Sequence, residues 1–184
     1  MKIYTVIAGV NGCGKSSLTG ALKSERSDLG MLVDVDKLAV KFSSPLLGAK
    51  EGIKTIENCL NNGYSITQET TLSGVKTEKT IKRAKNLGYN IRLYYIGLDT
   101  AEDSILRIKN RVSKGGHNIP TADVLNRFEN RFIDLLKILP YCDTAIFFDN
   151  DNGFIEVAEY KNGEFILNSN GDKKWVKTLN ELLK

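Results

Sequence analysis

A glycine-rich octapeptide near the N-terminus has the residue types needed to bind phosphate. It runs from Gly9 to Ser16 and satisfies the pattern G-x-x-x-x-G-K-[ST], after a buried apolar segment and before a helical one. In such a loop the backbone N–H groups point inward, and the following helix adds partial positive charge. We expect Lys15 to contact the β- and γ-phosphates of Mg-ATP and the Ser16 hydroxyl to ligate Mg²⁺. The predicted nucleotide-binding residues are Gly9, Asn11, Gly12, Cys13, Gly14, Lys15, Ser16 and Ser17.

A phosphate-binding loop defines a ligand but leaves the reaction open, because several enzyme classes share it. The segment Leu72-Ser73-Gly74 is followed by Val75, so the signature of ABC transporters is absent. The guanine-binding pattern Asn-Lys-x-Asp of GTPases is also absent. The sequence therefore favours neither of these two classes.

Two carboxylates follow predicted strands. Asp36 comes just beyond the second strand and Glu69 just beyond the third. The carboxyl ends of neighbouring strands in a doubly wound sheet meet at one crevice, so both should face the phosphate loop. Asp36 fits the role of the base that receives the proton of an acceptor hydroxyl. The alternative interpretations are a helix cap for Asp36, as for Asp34, and a surface residue for Glu69.

Four arginines flank a polar, glycine-rich break at residues 113–120, which we interpret as a lid. Arg107 and Arg111 are spaced i and i+4 on a predicted helix, as are Arg127 and Arg131, so each pair can present two guanidinium groups on one face. Such groups could stabilise charge on a transferred phosphoryl group. Taken singly, each arginine could equally be an ordinary surface charge.

Apolar runs alternate with helical patterns, which predicts a parallel sheet covered by helices. We expect an α/β fold of the P-loop NTPase class, with a five-stranded, mainly parallel sheet and helices on both faces. The predicted strands are 2–8, 31–35, 64–68, 89–98 and 144–148, and the predicted helices are 15–24, 48–60, 75–87, 101–112 and 121–139. A separate hairpin around Asn162-Gly163 and a helix at 173–183 should follow. We interpret residues 1–184 as one domain, with a core at 1–150, a lid near 107–131 and a C-terminal part at 151–184.

The composition is that of an ordinary globular protein. The 184 residues carry 26 Lys and Arg against 22 Asp and Glu, and this net charge of +4 does not favour a nucleic-acid partner. Three scattered cysteines without Cys-x-x-Cys spacing fit a reducing, cytoplasmic location. The apolar start of the chain is too short for a signal sequence or a membrane span, so we expect no membrane association.

Taken together, the motifs resemble those of the zeta toxin family of P-loop kinases. The resemblance comprises the phosphate loop, Val33-Asp34-Val35-Asp36, the block from Gln68 to Gly74, the segment from Arg111 to Pro120 leading to Arg127, and Asp149-Asn150. These blocks cover most of residues 1–150. Many members of the family carry Asn where this chain has Asp34, and the longer substrate-binding insertions of the toxins are missing.

The resemblance implies ATP-dependent phosphorylation of a hydroxyl, and the toxins act on UDP-N-acetylglucosamine. By motif position, Asp36 would be the base, Lys15 the phosphate ligand, and Arg111 and Arg127 the charge stabilisers. Glu69 and Thr70 would contact the acceptor, a small molecule such as a UDP-sugar. An antitoxin-like protein would be a partner of such a toxin. Two alternatives stay open, a polynucleotide 5′-hydroxyl kinase and a nucleotide-binding module without turnover.

Overall fold

Seven strands form one sheet in the computed structural model, which describes residues 1–116 and 118–184. The strands are β1 (Ile3–Ala8), β2 (Met31–Asp34), β3 (Ile66–Thr70), β4 (Asn90–Gly97), β5 (Thr144–Asp149), β6 (Ile155–Lys161) and β7 (Glu164–Leu167). Their order across the sheet is β2-β3-β1-β4-β5-β6-β7. The first five strands are parallel to their neighbours, and the last two pair antiparallel. The carboxyl ends of β1, β2 and β3 consequently lie side by side.

Helices cover both faces of the sheet. They are α1 (Lys15–Glu25), α2 (Val35–Lys41), α3 (Pro45–Asn62), α4 (Val75–Asn86), α5 (Ala101–Ser113), α6 (Thr121–Ile138) and α7 (Lys174–Leu182). Side chains alternate between the two faces along each strand. Tyr4, Val6 and Ala8 of β1 therefore face one apolar core with α3, α4, α6 and α7, and Ile7 faces a second core with α1. The predicted α/β class with two covered faces is confirmed.

The prediction of five strands with a separate hairpin is wrong. Strand β6 pairs with the outer edge of β5 and β7 pairs with β6, so the hairpin extends the same sheet. This pairing occupies backbone groups of β5 that an edge strand would leave open. The turn itself follows the prediction, because Asn162 and Gly163 have φ angles of 54° and 85°, both positive as a type I′ turn requires.

Two local boundaries bear on the candidate site. Glu69 was expected just beyond the third strand, but it lies within β3, whose last residue is Thr70. Asp36 lies in the first turn of α2, a seven-residue helix that the sequence pattern did not predict. The side chain of Asp34 caps this helix by accepting a hydrogen bond from the Lys37 N–H at 3.1 Å. The cap interpretation is thus confirmed for Asp34.

The C-terminal helix is anchored by the single tryptophan of the chain. Trp175 is 1% exposed and its ring covers Gly97, where an added Cβ would lie 2.3 Å from the indole. Its backbone N–H donates to Asp99 and its indole N–H donates to the buried carboxylate of Asp149 at 3.0 Å. Helix α7 is therefore fixed to the carboxyl ends of β4 and β5.

Candidate active site

The phosphate loop joins β1 to α1 in a conformation that its glycines permit. Gly9, Gly12 and Gly14 have φ angles of 143°, 76° and 107°, a region that side chains with a Cβ rarely adopt. At Gly9 an added Cβ would also lie 2.3 Å from the carbonyl oxygen of Ile96. The Lys15 ammonium lies over the loop and donates to the carbonyl oxygens of Gly9 and Val10, each at 3.0 Å. The predicted loop and its lysine therefore come together at the N-terminus of a helix.

Other elements hold the loop from outside. The Ser104 hydroxyl of α5 donates to the carbonyl oxygen of Asn11. The Asn150 side chain, just after β5, donates to the carbonyl oxygen of Cys13 at 2.8 Å. Burial raises the pKa of the Cys13 thiol. The loop shape is thus supported by α5 and by the segment after β5.

The carboxylate of Glu69 is hydrogen-bonded to the first two turns of α1. The Ser16 hydroxyl donates to one oxygen of Glu69 at 2.7 Å, and the Thr19 hydroxyl lies 2.7 Å from the other. Thr19 was not predicted as a site residue, although its position one turn after Lys15 places it on the same face of α1. The half-buried Glu69 side chain is therefore held at both oxygens beside the phosphate loop.

One cleft of ≈740 Å³ contains most of the predicted site residues. It brings Asp36, Thr70, Arg111 and Arg127 together with the phosphate loop. The residues that line it are Asn11, Gly12, Gly14, Lys15, Ser16, Ser17, Asp34, Val35, Asp36, Lys37, Val40, Ala49, Ile53, Gln68, Glu69, Thr70, Thr71, Ser73, Lys76, Thr77, Arg107, Arg111, Gly116 and Arg127. The convergence of strand ends expected from the sequence is therefore observed.

The far end of the cleft is formed by β3, α2, α3 and α4. The Asp36 side chain is exposed here and makes no ion pair or hydrogen bond within residues 1–116 and 118–184. The Thr70 hydroxyl accepts a hydrogen bond from the Leu72 N–H at 3.0 Å and lies 3.4 Å from the Thr77 hydroxyl of α4. The sequence did not predict that Val40 and Ile53 line this end of the cleft, because both are apolar and exposed and give no local sign of a site.

The four arginines occupy different environments. Arg127 donates to the side-chain oxygen of Asn11 at 2.9 Å, and Arg107 donates to the carbonyl oxygen of Asn150 at 2.6 Å. Both line the cleft together with Arg111. Arg131 instead packs on the ring of Phe128, 3.7 Å from its centroid, and burial lowers its pKa. The i and i+4 spacing of Arg127 and Arg131 therefore does not bring both to the site.

The predicted lid joins α5 to α6. Gly116 lines the cleft and lies against Arg111, since an added Cβ would be 2.5 Å from Cγ of that arginine. Ile119 is 9% exposed and packs in an apolar cluster with Ile108 and Val124, so part of this polar segment has a core contact. The only histidine, His117, was not assigned a catalytic role and lies outside the described residues.

Two properties of the described residues concern metal and membrane binding. In the described part of the chain, His, Cys, Asp and Glu side chains form no cluster of three or more that could hold a metal ion by themselves. Within that same part, no helix is both long enough and apolar enough to span a membrane.

Sequence comparison gives two similarities. The family model described as "Zeta toxin" matches residues 50–151. An uncharacterized protein of Haemophilus influenzae is 32% identical over 127 residues, which are 65% of this chain and 88% of that protein.

Solved structures share the fold. One comes from the PezAT chromosomal toxin-antitoxin system of Streptococcus pneumoniae, with a TM-score of 0.64, 17% identity, and coverage of 100% of this chain and 84% of the other. Another is the AvrRxo1-ORF1:-ORF2 structure with ATP, with a TM-score of 0.65 and 18% identity, of which this chain spans 63%. The family model matches more than half of the sequence, and we conclude that this chain belongs to the zeta toxin family.

Proposed function

We propose that this protein is an ATP-dependent kinase that transfers the γ-phosphate of Mg-ATP to a hydroxyl group of a small molecule. The observation that carries the proposal is the cleft in which a phosphate loop, the exposed carboxylate of Asp36 and the side chains of Arg111 and Arg127 come together. Phosphoryl transfer needs these components, namely a phosphate cradle, a group that receives the acceptor proton, and cations near the transferred group.

The donor end would bind the triphosphate through Gly9–Ser16 and the N-terminus of α1. Backbone N–H groups of the loop would hold the phosphates, and the Lys15 ammonium, 3.0 Å from two loop carbonyls, would turn to the β- and γ-phosphate oxygens. Arg111 and Arg127 line the same cleft and would stabilise the charge that spreads over the γ-phosphate.

The groups beside the loop suit Mg²⁺. Ser16 and Glu69 offer oxygen atoms, which magnesium prefers, and this ion usually completes its shell with water and phosphate oxygens. Ser16 would be its protein ligand, and the ion would neutralise phosphate charge.

Asp36 would act on the acceptor. Its carboxylate would accept the proton of the acceptor hydroxyl while that oxygen forms a bond to the γ-phosphorus, and the bond from phosphorus to the bridging oxygen of ADP would break. Its exposed position in the first turn of α2, together with its lack of a described hydrogen-bond partner, supports this role. Asp34, two residues earlier, is instead engaged as a helix cap and as the ion-pair partner of Lys37 at 3.2 Å.

We propose a UDP-sugar as the first acceptor to test. Lys37 and Lys76 could attract its diphosphate, and the Thr71 and Ser73 hydroxyls could bond its polar groups. The apolar side chain of Ile53 offers a surface for a ring. The lid near 107–131 would close over the bound pair and exclude water.

We also propose an antitoxin-like protein as a partner and the cytoplasm as the location. A similar fold occurs in the PezAT toxin-antitoxin system, and the three buried cysteines in the described residues are free, as in a reducing compartment. Copurification with the product of a neighbouring gene would test the first of these expectations.

The function is tested by mass spectrometry of reactions that contain the protein, ATP, Mg²⁺ and a panel of hydroxyl compounds including UDP-N-acetylglucosamine. We expect one small-molecule acceptor to gain a phosphoryl group while ADP accumulates. A 5′-phosphorylated oligonucleotide product that salt suppresses steeply would support the polynucleotide kinase instead. Tight ATP binding without any phosphorylated product would support a module without turnover.

A further inference from the structure

We infer that Gln68 is an acceptor-binding residue, whose side-chain amide is fixed by Tyr4 so that its N–H₂ group faces the acceptor end of the cleft, formed by β3, α2, α3 and α4. There it would donate to a carbonyl or phosphoryl oxygen of the acceptor. This inference rests on the proposed function and adds one fixed contact to the exposed side chains at that end. Gln68 lines the cleft and is the only glutamine in the sequence.

Gln68 is a polar residue in an apolar part of the sheet. It pairs with Val6 of β1 on one side and with Val33 of β2 on the other, and both valines belong to the larger apolar core. The residue itself is only 8% exposed. A polar group at such a position costs free energy unless hydrogen bonds satisfy it, so both ends of the amide need partners.

The oxygen end of this amide has its partner inside the protein. The Tyr4 hydroxyl donates a hydrogen bond to Oε1 of Gln68. Tyr4 is fully buried, and burial raises the pKa of its hydroxyl, so the proton is present to be donated at neutral pH. Within residues 1–116 and 118–184 this is the only hydrogen bond that the Tyr4 hydroxyl makes.

The Tyr4 contact determines which way the amide points. A carboxamide can turn over and exchange its oxygen with its nitrogen, and its hydrogen-bond partners decide between the two orientations. With the nitrogen toward Tyr4, the phenolic proton would lose its acceptor inside the core, and a buried donor without an acceptor is costly. The oxygen of Gln68 therefore stays on Tyr4, and its nitrogen is left for another partner.

The nitrogen end is open to the cleft. In the described part of the chain Nε2 of Gln68 makes no hydrogen bond, yet it is not among the polar atoms there that are sealed from solvent without a partner. Thr70, two residues further along β3, lies on the same face of the strand and also lines the cleft. A bound molecule can therefore reach the Gln68 N–H₂ group from the cleft.

The groups at this end define what Gln68 would bind. Its oxygen is occupied, so the side chain has two N–H donors and no acceptor left for a ligand. Lys37 and Lys76 line the same end and also offer only donors. The group bound here would therefore be an oxygen with lone pairs and no proton, as in a carbonyl or a phosphoryl group. The reacting hydroxyl, which must give up its proton, belongs instead at the carboxylate of Asp36.

Steady-state kinetics with the acceptor identified by mass spectrometry tests this contact. Gln68→Glu keeps an oxygen for Tyr4 but replaces the N–H₂ group by a second oxygen. We expect the acceptor KM to rise by about 10-fold or more, with kcat within about 3-fold and ATP affinity within about 2-fold. Tyr4 is a positioning residue, since it acts through Gln68. Tyr4→Phe lets the amide turn over and should raise the acceptor KM by about 2–5-fold, again with little change in kcat.

Nuclear magnetic resonance gives a second measurement, because a single glutamine labelled with ¹⁵N in its side chain yields one pair of N–H₂ resonances. With Mg-ADP bound at the phosphate loop, this pair should shift when the same acceptor is added. Uridine, which has carbonyl groups and no phosphate, and pyrophosphate, which has phosphate and no carbonyl, then show which kind of oxygen Gln68 binds.

Asn86→Asp, the same exchange of an amide for a carboxylate at the exposed last residue of α4, is the matched control and should behave as the unaltered chain. An unchanged acceptor KM in folded Gln68→Glu, or an N–H₂ pair that the acceptor does not shift, overturns the inference while leaving the proposed function intact. If Gln68→Glu does not fold, the resonances of the unaltered chain decide. Absence of any phosphorylated product from the unaltered chain overturns the proposed function, and the inference with it.

Discussion

The donor end and the acceptor end of the cleft differ in how their functional groups are held. At the donor end, Ser104 and Asn150 bond the phosphate loop from two other elements, and Glu69 is bonded at both oxygens. At the acceptor end, Asp36 and Val40 are exposed side chains on the short helix α2. Under the proposed function, triphosphate binding would depend on this hydrogen-bonded scaffold, whereas acceptor choice would depend mainly on a few exposed side chains whose replacement leaves the fold undisturbed.

The largest effect should come from replacing the carboxylate of Asp36 by an amide, which changes the acceptor end of the cleft and leaves the donor end as it is. Asp36→Asn should reduce phosphoryl transfer by about 10²–10⁴-fold, since the amide cannot receive the acceptor proton. ATP affinity should stay within about 2-fold, because the loop is untouched. The measurement is product formation under saturating ATP, alongside calorimetry.

Asp34→Asn provides the matched control for that change. Asparagine caps a helix about as well as aspartate, so this variant should retain transfer within about 3-fold. Equal losses in the two variants would contradict a specific role for Asp36.

The next prediction tests whether the contacts that support the phosphate loop extend to Trp175 in the C-terminal helix. Trp175→Phe keeps an aromatic ring but removes the indole N–H that bonds the 1% exposed Asp149. We expect the free energy of unfolding to fall by about 1–3 kcal/mol, measured by urea denaturation. ATP affinity should also decrease, because Asp149 precedes Asn150, which bonds the phosphate loop.

A change at an exposed aromatic residue calibrates this result. Tyr64→Phe alters a 61% exposed side chain, and stability should change by less than about 0.5 kcal/mol. A loss of stability in Trp175→Phe without any loss of ATP affinity would show that the C-terminal helix supports the fold and not the loop.

A smaller effect concerns the segment that joins α1 to β2. Asp28 accepts hydrogen bonds from Arg26 and from the 8% exposed Arg92, and these partners lower its pKa, with Arg26 the larger cause. Asp28→Asn should therefore cost about 1 kcal/mol at neutral pH, a modest value because Asp28 is partly solvated.

The pH dependence follows from the direction of that shift. A lowered folded-state pKa contributes stability above the unfolded value of about 3.9, and this contribution is lost as pH falls through the folded pKa. The difference in stability between the unaltered chain and Asp28→Asn should therefore be full near pH 7 and shrink below about pH 4. Urea denaturation across this range measures it, and a difference that grows on acidification would refute the assignment.

The smallest effect should come from Val40, an apolar side chain on α2 that lines the acceptor end of the cleft. Val40 is 62% exposed, so Val40→Ser should leave stability within about 0.5 kcal/mol. Loss of its apolar contact should raise the acceptor KM by about 2–4-fold with ATP affinity unchanged, because only a part of this side chain can be covered by a ligand. Steady-state kinetics with the acceptor found by mass spectrometry measures this, and a change in ATP affinity would contradict the separation of the two ends.

Local sequence patterns were sufficient to predict the phosphate loop at the donor end of the cleft. The phosphate loop, the strand before it and the helix after it are contiguous, so their glycines, lysine and hydroxyl residues form a recognisable pattern. The alternation of strands and helices likewise predicted the α/β class, because burial on both faces of a sheet requires it. Local turn chemistry predicted the hairpin at Asn162-Gly163.

Tertiary pairing decided the rest. No local pattern shows that β6 pairs with the edge of β5, because strand partners are chosen by contacts between distant segments. Nor could the sequence show that Glu69 contacts Ser16 and Thr19, which lie 53 and 50 residues away along the chain. A one-residue shift in the register of β3 would move each of its side chains to the other face of the sheet, so only the pairing of β3 with β1 placed the Glu69 carboxylate beside α1.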